Sequence, residues 1–380
     1  MKQNEERRTQ NEELRMTPAR SRRSAVVLFV ILHSAFCVLH SSASDFQPAL
    51  PNYTFDFPTD HGAHPAFRTE WWYYTGHLRT GNGHRYGFEL TFFRVGISRA
   101  PRETGWDLRD VMPAHFAITD VDGRAFRAYE KMNRASAFTA DAAVGKLDVF
   151  NEGWRAITNP DGSWRIVASA GRDAIDLTLR SRKAPAIHGE NGISIKAPVA
   201  GYASHYYSMT RLEVAGVVNG ARCTGQAWMD HEFGSSALRE NQQGWDWFSI
   251  QLDSDAELML YIIRRKDGTP DVTSSGSLIT SDGRVIPLRR EQLRVTALRH
   301  WTSKRSGATY PMGWRVELPT LNVALVLTPL LESQELLTSG STHVTYWEGA
   351  VDVAGSFDGV AVSGEGYVEL TGYDKAFRAP

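Results

Sequence analysis

Runs in which apolar and polar residues alternate with a period of two dominate the chain, and the 3.6-residue period of a long amphipathic helix is absent. Glu70-Trp-Trp-Tyr-Tyr-Thr-Gly-His-Leu78 and Arg85-Tyr-Gly-Phe-Glu-Leu-Thr-Phe-Phe-Arg94 concentrate aromatic residues, which pack well on a pleated surface, so both read as strands. Between them, Gly81-Asn-Gly83 is a hairpin signal. Asp-Gly pairs recur at Asp122-Gly123, Asp161-Gly162, Asp267-Gly268, Asp282-Gly283 and Asp358-Gly359, with Asn219-Gly220 beside them. Each lies between strand-like runs such as His115–Thr119 or Trp164–Ala168. Tight turns at short intervals predict an all-β antiparallel meander, closed as barrels or stacked as a sandwich. The best helix expectation is short, around Leu330 to Leu337.

The strand pattern repeats. Trp71-x-Tyr73-Tyr74-Thr75-x-His77-Leu78 is similar to Trp245-x-Trp247-Phe248-Ser249-x-Gln251-Leu252, and Glu89-Leu90-x-Phe92-Phe93 to Glu257-Leu258-x-Leu260-Tyr261. Gly225-x-x-Trp228-x-Asp230 is echoed by Gly364-x-x-Tyr367-x-Glu369. Three segments matching in the same order imply two related β domains, 55–239 and 240–380, the second shorter. The second copy is expected to be mainly structural.

The first 43 residues read as a leader rather than part of this fold. Arg20, Arg22 and Arg23 precede an apolar run from Ala25 to Leu39 and the small residues Ser41-Ser-Ala43, the layout of a signal peptide cleaved after Ala43. Export to the periplasm or beyond is therefore the expectation. Cys37 follows Phe36 rather than a small residue, which favours simple cleavage over a lipid anchor. The remaining chain has 35 basic and 39 acidic residues, about −4 net, which gives no reason to propose a nucleic-acid partner. It keeps one cysteine, Cys223, read as a small core residue, so no internal disulfide can staple it.

Candidate chemistry gathers in Gln226-Ala-Trp-Met-Asp-His-Glu-Phe-Gly-Ser-Ser236. Two carboxylates and a histidine sit among aromatics, where desolvation raises a carboxyl pKa and can hold a proton near neutrality. Asp230 is the candidate general acid. His205-Tyr206-Tyr207-Ser208 lies about twenty residues earlier across the Asn219-Gly220 turn, so the two segments can be neighbouring strands. His205 and Tyr207 are expected to meet Trp228, Asp230 and Glu232 inside a barrel, with His205 as the second catalytic residue. Trp228, Tyr207, Trp72, Tyr74, His231 and Glu232 form the expected ligand-binding set. His61 and His64 could join a metal site, but no paired cysteines or HExxH run supports one, and neither metal nor organic cofactor is expected. No Gly-x-Ser-x-Gly elbow surrounds any serine, which weighs against a serine hydrolase.

Five segments together carry a resemblance: Thr59-Asp-His-Gly-Ala-His64, Glu70–His77, Tyr207-Ser-x-Thr-Arg211, Trp228–Gly234 and Gly244-Trp-Asp-Trp-Phe-Ser249. With them the chain resembles the secreted carotenoid 1,2-hydratase-related, AttH-like proteins over nearly all of its expected mature length. That resemblance implies two tandem lipocalin-like β-barrels. It also implies acid-catalysed water addition depending on His-x-Trp followed by Tyr-x-Asp. The matching positions are His205-x-Tyr207 and Trp228-x-Asp230, with the two aromatics exchanged. Many such proteins are described only as secreted hydrolases. Three readings follow: an apolar isoprenoid- or lipid-like ligand bound in an aromatic barrel pocket, with acid chemistry at Asp230 as its extension; a hydro-lyase adding water to an isolated C=C bond; or a hydrolase. The expected partner is an apolar small molecule, with a peripheral position near a membrane compatible with such a ligand.

Overall fold

The computed structural model describes residues 46–100, 104, 106–190 and 192–377. The expected leader lies outside these residues. Two antiparallel sheets make the fold, one of 13 strands and one of 10, curled into a nearly closed barrel and a half-barrel. The strands of the first sheet run from Thr69 to Gly234 and those of the second from Gln242 to Thr371.

The repeat has a structural meaning. In the first sheet, the strand Thr69–Thr80 lies between its hairpin partner Arg85–Gly96 and the last strand, Ala221–Gly234. In the second, Gln242–Leu252 lies between Glu257–Arg265 and the last strand, Val360–Thr371. First strand against last strand is how a sheet curls back on itself, so the repeated sequence marks the centre of each barrel. Opposite edges of the first sheet approach as well, where Asn133 Nδ2 donates to Asn151 Oδ1 at 2.7 Å.

Alternation sorts these strands onto two faces. Trp72 and Tyr74 point into the first barrel with Phe88, Phe116 and Tyr207. Phe248, Trp314 and Trp347 fill the second. Tyr73, Tyr206, Trp228, Trp247, Tyr261 and Tyr367 form a third apolar cluster between the barrels. The central strands are thus buried on both faces. Contacts across this interface obey the repeat: His77 Nε2 meets the Gly366 carbonyl at 2.9 Å, and its counterpart Gln251 Nε2 donates to the Ala227 carbonyl at 3.0 Å.

The turn signals hold where they join long strands. Asn219 and Gly220 both have positive φ (48° and 80°), as do Asp358 and Gly359 (50° and 77°). This is the geometry that lets a two-residue hairpin follow the strand twist. Cys223 is a free, buried cysteine. The helix expected at Leu330 to Leu337 does not form. The Leu330 N–H is taken by the Ala350 carbonyl at 2.9 Å, and Glu335–Leu337 pairs as a strand with Thr345–Trp347. Sheet pairing satisfies this backbone, so the local apolar run has no reason to coil. Among the described residues, helical structure is limited to three-residue 3-10 turns, and no helix is long and apolar enough to cross a membrane.

Candidate functional site

Asp230 and His205, expected together, sit on opposite faces of one sheet. The strand Ala203–Val218 pairs Ser208 with Asp230, Tyr206 with Glu232, Tyr207 with His231 and His205 with Phe233. Directly paired residues share a face, and one step along a strand changes it. Asp230, Glu232 and Trp228 therefore face the second barrel together with Tyr206 and Ser208. His231 and Tyr207 face the first barrel's interior with Trp72 and Tyr74.

The interior set is a closed polar network rather than an open pocket. His61 Nδ1 meets the Tyr207 hydroxyl at 2.7 Å, which meets His231 Nδ1 at 3.0 Å. His231 Nε2 reaches Glu70 at 2.9 Å, and His64 Nδ1 reaches the same carboxylate at 2.8 Å. Although burial opposes ionisation, Arg94 at 2.9 Å and both histidines hold Glu70 well below the usual carboxylate range. Trp72 stacks on His231 with ring centres 4.8 Å apart. His64, Glu70 and His231 bring donor atoms within 4.8 Å of one another. Yet every ring nitrogen of the two histidines already has a hydrogen-bond partner, and Arg94 supplies the positive charge. The trio is a structural tie between the N-terminal segment and the barrel. His205 stands apart, beside Tyr53, Phe67 and Phe233, and burial pushes its pKa down to about 4.

The cavity lies on the other face, between the barrels. Its volume is about 170 Å³, slightly more than the ~150 Å³ that holds a benzene ring. Trp71, Tyr73 and Tyr206 of the first barrel form one wall, and Trp245, Trp247, Tyr261 and Tyr346 of the second form the other. The second barrel, expected to be mainly structural, builds half of the site. Trp228 and Tyr207 are not on these walls.

Asp230 is the acid of the first wall. Its carboxyl accepts from Tyr206 Oη at 2.6 Å, from Trp228 Nε1 at 2.5 Å and from Ser208. Burial nevertheless pushes its pKa up to about 7, and the neighbouring Glu232 adds to the rise. Tyr206 in turn accepts from Trp247 Nε1 at 3.0 Å, so the second barrel holds the first barrel's acid in place. Glu232 is different, because Lys196 Nζ pairs with it at 2.6 Å. Behind Asp230, Ser208 meets His188 Nε2 at 2.6 Å, and His188 Nδ1 meets Ser277 of the second barrel at 2.9 Å. Burial holds the His188 pKa down to about 3, so this imidazole is neutral. Ser208 is fully buried and off the cavity walls, which leaves this Ser–His pair no path to an ester.

The second wall carries acids of its own. Glu369, the counterpart of Asp230, accepts from Trp245 Nε1 at 3.0 Å, and burial pushes its pKa up to about 7. Glu348 lies directly across from it on the neighbouring strand and accepts from Tyr73 Oη at 2.6 Å. The repeat flagged Glu369. Glu348, in Tyr346-Trp347-Glu348, carries the same signal that singled out Asp230, an acid inside an aromatic run.

Fold and site define a class: a two-barrel, lipocalin-like β protein with a buried, acid-lined aromatic cavity between its halves. The chain belongs to the AttH-like family, whose sequence profile matches residues 48–373. The crystal structure of an AttH protein from Nitrosomonas europaea is similar at 35% identity, with a TM-score of 0.78 over 86% of this chain and 99% of that one. The fold is shared more distantly with kievitone hydratase from Nectria haematococca, at 15% identity and a TM-score of 0.65 over 87% of this chain and 98% of that one. CghA crystallised with Sch210972 matches at 16% identity and a TM-score of 0.54, over 89% and 97%. No curated protein sequence matches the chain.

Proposed function

We propose that the chain binds an apolar ligand between its barrels and that Asp230 serves there as a proton donor to a carbon–carbon double bond. One observation carries this reading: a fully buried carboxyl on an aromatic cavity wall, with a pKa pushed up to about 7. An isolated alkene is barely basic, so its protonation needs an acid that is neutral, dry and positioned. Asp230 gives its proton to one alkene carbon. The cation left on the other carbon lies among the faces of Trp71, Trp245 and Trp247, each contact worth about 1–2 kcal/mol when desolvated. Water adds to that carbon, and the proton it sheds restores the Asp230 carboxyl. Tyr207 and His205 lie on the face turned away from the cavity, and Trp228, though on the cavity-side face, is off its walls, so Trp228 and Tyr207 leave the expected ligand-binding set and His205 leaves the catalytic pair. The fold shared with a hydratase is compatible with this chemistry, and a leader of signal-peptide type would place it outside the cytoplasm.

Asp230→Asn should lower turnover of a trisubstituted isoprenoid alkene by at least ~100-fold while leaving its dissociation constant within a few-fold. Unchanged turnover in this variant would remove Asp230 from the chemistry. Tight binding with no turnover in the unaltered protein would leave a carrier.

A further inference from the structure

Among the described residues, the carboxyls of the second cavity wall lack the cations that neutralise others around the interbarrel cavity. Lys196 is taken by Glu232, and Arg94 by Glu70 and Asp110. Glu348 and Glu369 are direct cross-strand neighbours, the first buried and the second partly buried, and Glu89 of the first barrel lies close enough to act on both. Like charges placed this way cannot all ionise, and one proton is retained strongly. Glu348 is the group best placed to keep it. It faces Glu369 across the strand pair and Glu89 across the interface, and the first carboxyl oxygen, Oε1, accepts from Tyr73. Its second oxygen, Oε2, is buried and has no hydrogen-bond partner among the described residues. With Oε1 accepting from Tyr73, the proton belongs on Oε2, which makes a neutral O–H donor with no acceptor. Buried donors rarely stay unmatched, because each costs its full desolvation.

We propose that Glu348 is the polar anchor of the cavity, its Oε2 hydroxyl donating a hydrogen bond to an oxygen acceptor, a carbonyl or ether oxygen, on the bound ligand. The inference rests on the ligand-pocket reading above and narrows it. The ligand is not a pure hydrocarbon but an apolar body with an uncharged oxygen group held by the second barrel. The first barrel then presents Asp230 to the part of the ligand lying against its wall. A cationic ligand is the competing prediction, since the same three carboxyls, if ionised, would select an ammonium group.

Three probes of one shape and of a size suited to 170 Å³ separate these outcomes: acetophenone, cumene and 1-phenylethylammonium. Dissociation constants from ligand-detected NMR at pH 6.5 provide the readout. The protein should bind acetophenone about fivefold to tenfold more tightly than cumene, the effect of one neutral hydrogen bond. Glu348→Gln, whose amide N–H can still donate, should keep that preference. Glu348→Met should lose it while binding cumene as before. Equal affinity for ketone and hydrocarbon, or tightest binding of the ammonium probe, overturns the anchor and leaves the pocket reading intact. Failure of all three to bind overturns both. The Gln variant, close to isosteric, keeps the test decisive where the Met variant fails to fold.

Discussion

Glu89 and Glu257 occupy the same position in the two halves of the repeat, yet only Glu257 has been given cationic partners among the described residues. Both are buried at the interface between the barrels. Glu257 receives Arg211 Nε at 2.5 Å and Lys183 Nζ at 2.8 Å. Among the described residues Glu89 receives only the Thr91 hydroxyl and its Oε2 has no partner, and burial pushes its pKa up to about 8. The register explains the difference. Arg211 precedes Leu212, which pairs with Ala227; in the second sheet Gly366 replaces Ala227 and pairs with Val351, and the residue before Val351 is Ala350. Where one half sends a guanidinium across the interface, the other sends a methyl group. A duplicated fold thus places a carboxyl twice; burial pushes both pKa values up, and the neighbours decide whether cations oppose that push or leave the group to hold a proton. The stored protons lie beside the cavity, the fixed ion pair away from it.

Breaking the ion pair should produce the largest effect. Arg211→Met leaves Glu257 with Lys183 alone, and removing one partner from a buried pair costs about 3–5 kcal/mol. Glu89→Gln, at the equivalent position, should not lower stability at neutral pH in urea unfolding but raise it, because it removes a carboxyl whose proton the folded chain must hold. Equal losses in both variants would erase the distinction between the halves.

A smaller effect follows from pH. The folded chain holds Asp230 near 7 and Glu89 near 8, above the 3.8 and 4.5 of the unfolded chain. Below about pH 4 both states carry these protons and the groups contribute nothing. As pH rises from 4 to 8 the unfolded chain releases them first, so stability falls, by roughly 4–5 kcal/mol per group at most, and levels once the folded pKa values are passed. Asp230→Asn and Glu89→Gln should each raise the melting temperature at pH 8 and not at pH 4. A wild-type melting curve that climbs steadily from pH 4 to 8, with no gain in either variant, would place the ionised form in the native state.

The smallest test compares the two equivalent hairpins. Asn219 and Asp358 both have left-handed backbone, which costs a residue without a polar side chain about 1–2 kcal/mol. Asn219 also accepts from the Ala174 N–H at 2.8 Å and donates to Asp173 at 3.0 Å. Asn219→Ala should therefore lower the unfolding midpoint more than Asp358→Ala. The opposite order would mean that the Asp173 contact contributes little.

Much of the architecture was legible along the chain because its signals are local. Alternation, the Asn-Gly and Asp-Gly turns and the repeated Trp-x-aromatic strand motif each act over a few residues, and together they mark two barrels. Asp230 was legible for the same reason, as a carboxyl set among aromatics. Its partners were not. The exclusion of His205 and Tyr207 from the site depends on the register between Ala203–Val218 and Ala221–Gly234, where a single step exchanges Tyr207 for Tyr206 and Ser208. A register shift between Met209 and Leu212 interrupts the count along this strand. Loop length and turn type alone do not set that register beyond an irregularity. His188 and Ser277 lie far from Asp230 in sequence and reach it only through folded contacts.

The sequence by itself determined the all-β class, the twofold repeat and the acid worth testing, since each follows from residue identity and short-range spacing. Only the tertiary structure decided that the cavity lies between the barrels rather than inside one. It also decided that Glu348 and Glu369 share the site with Asp230, and that Glu89 goes without a cation while Glu257 has two. Those outcomes depend on which face of one barrel packs against the other, and the energy of a buried charge is set by neighbours tens to hundreds of residues away.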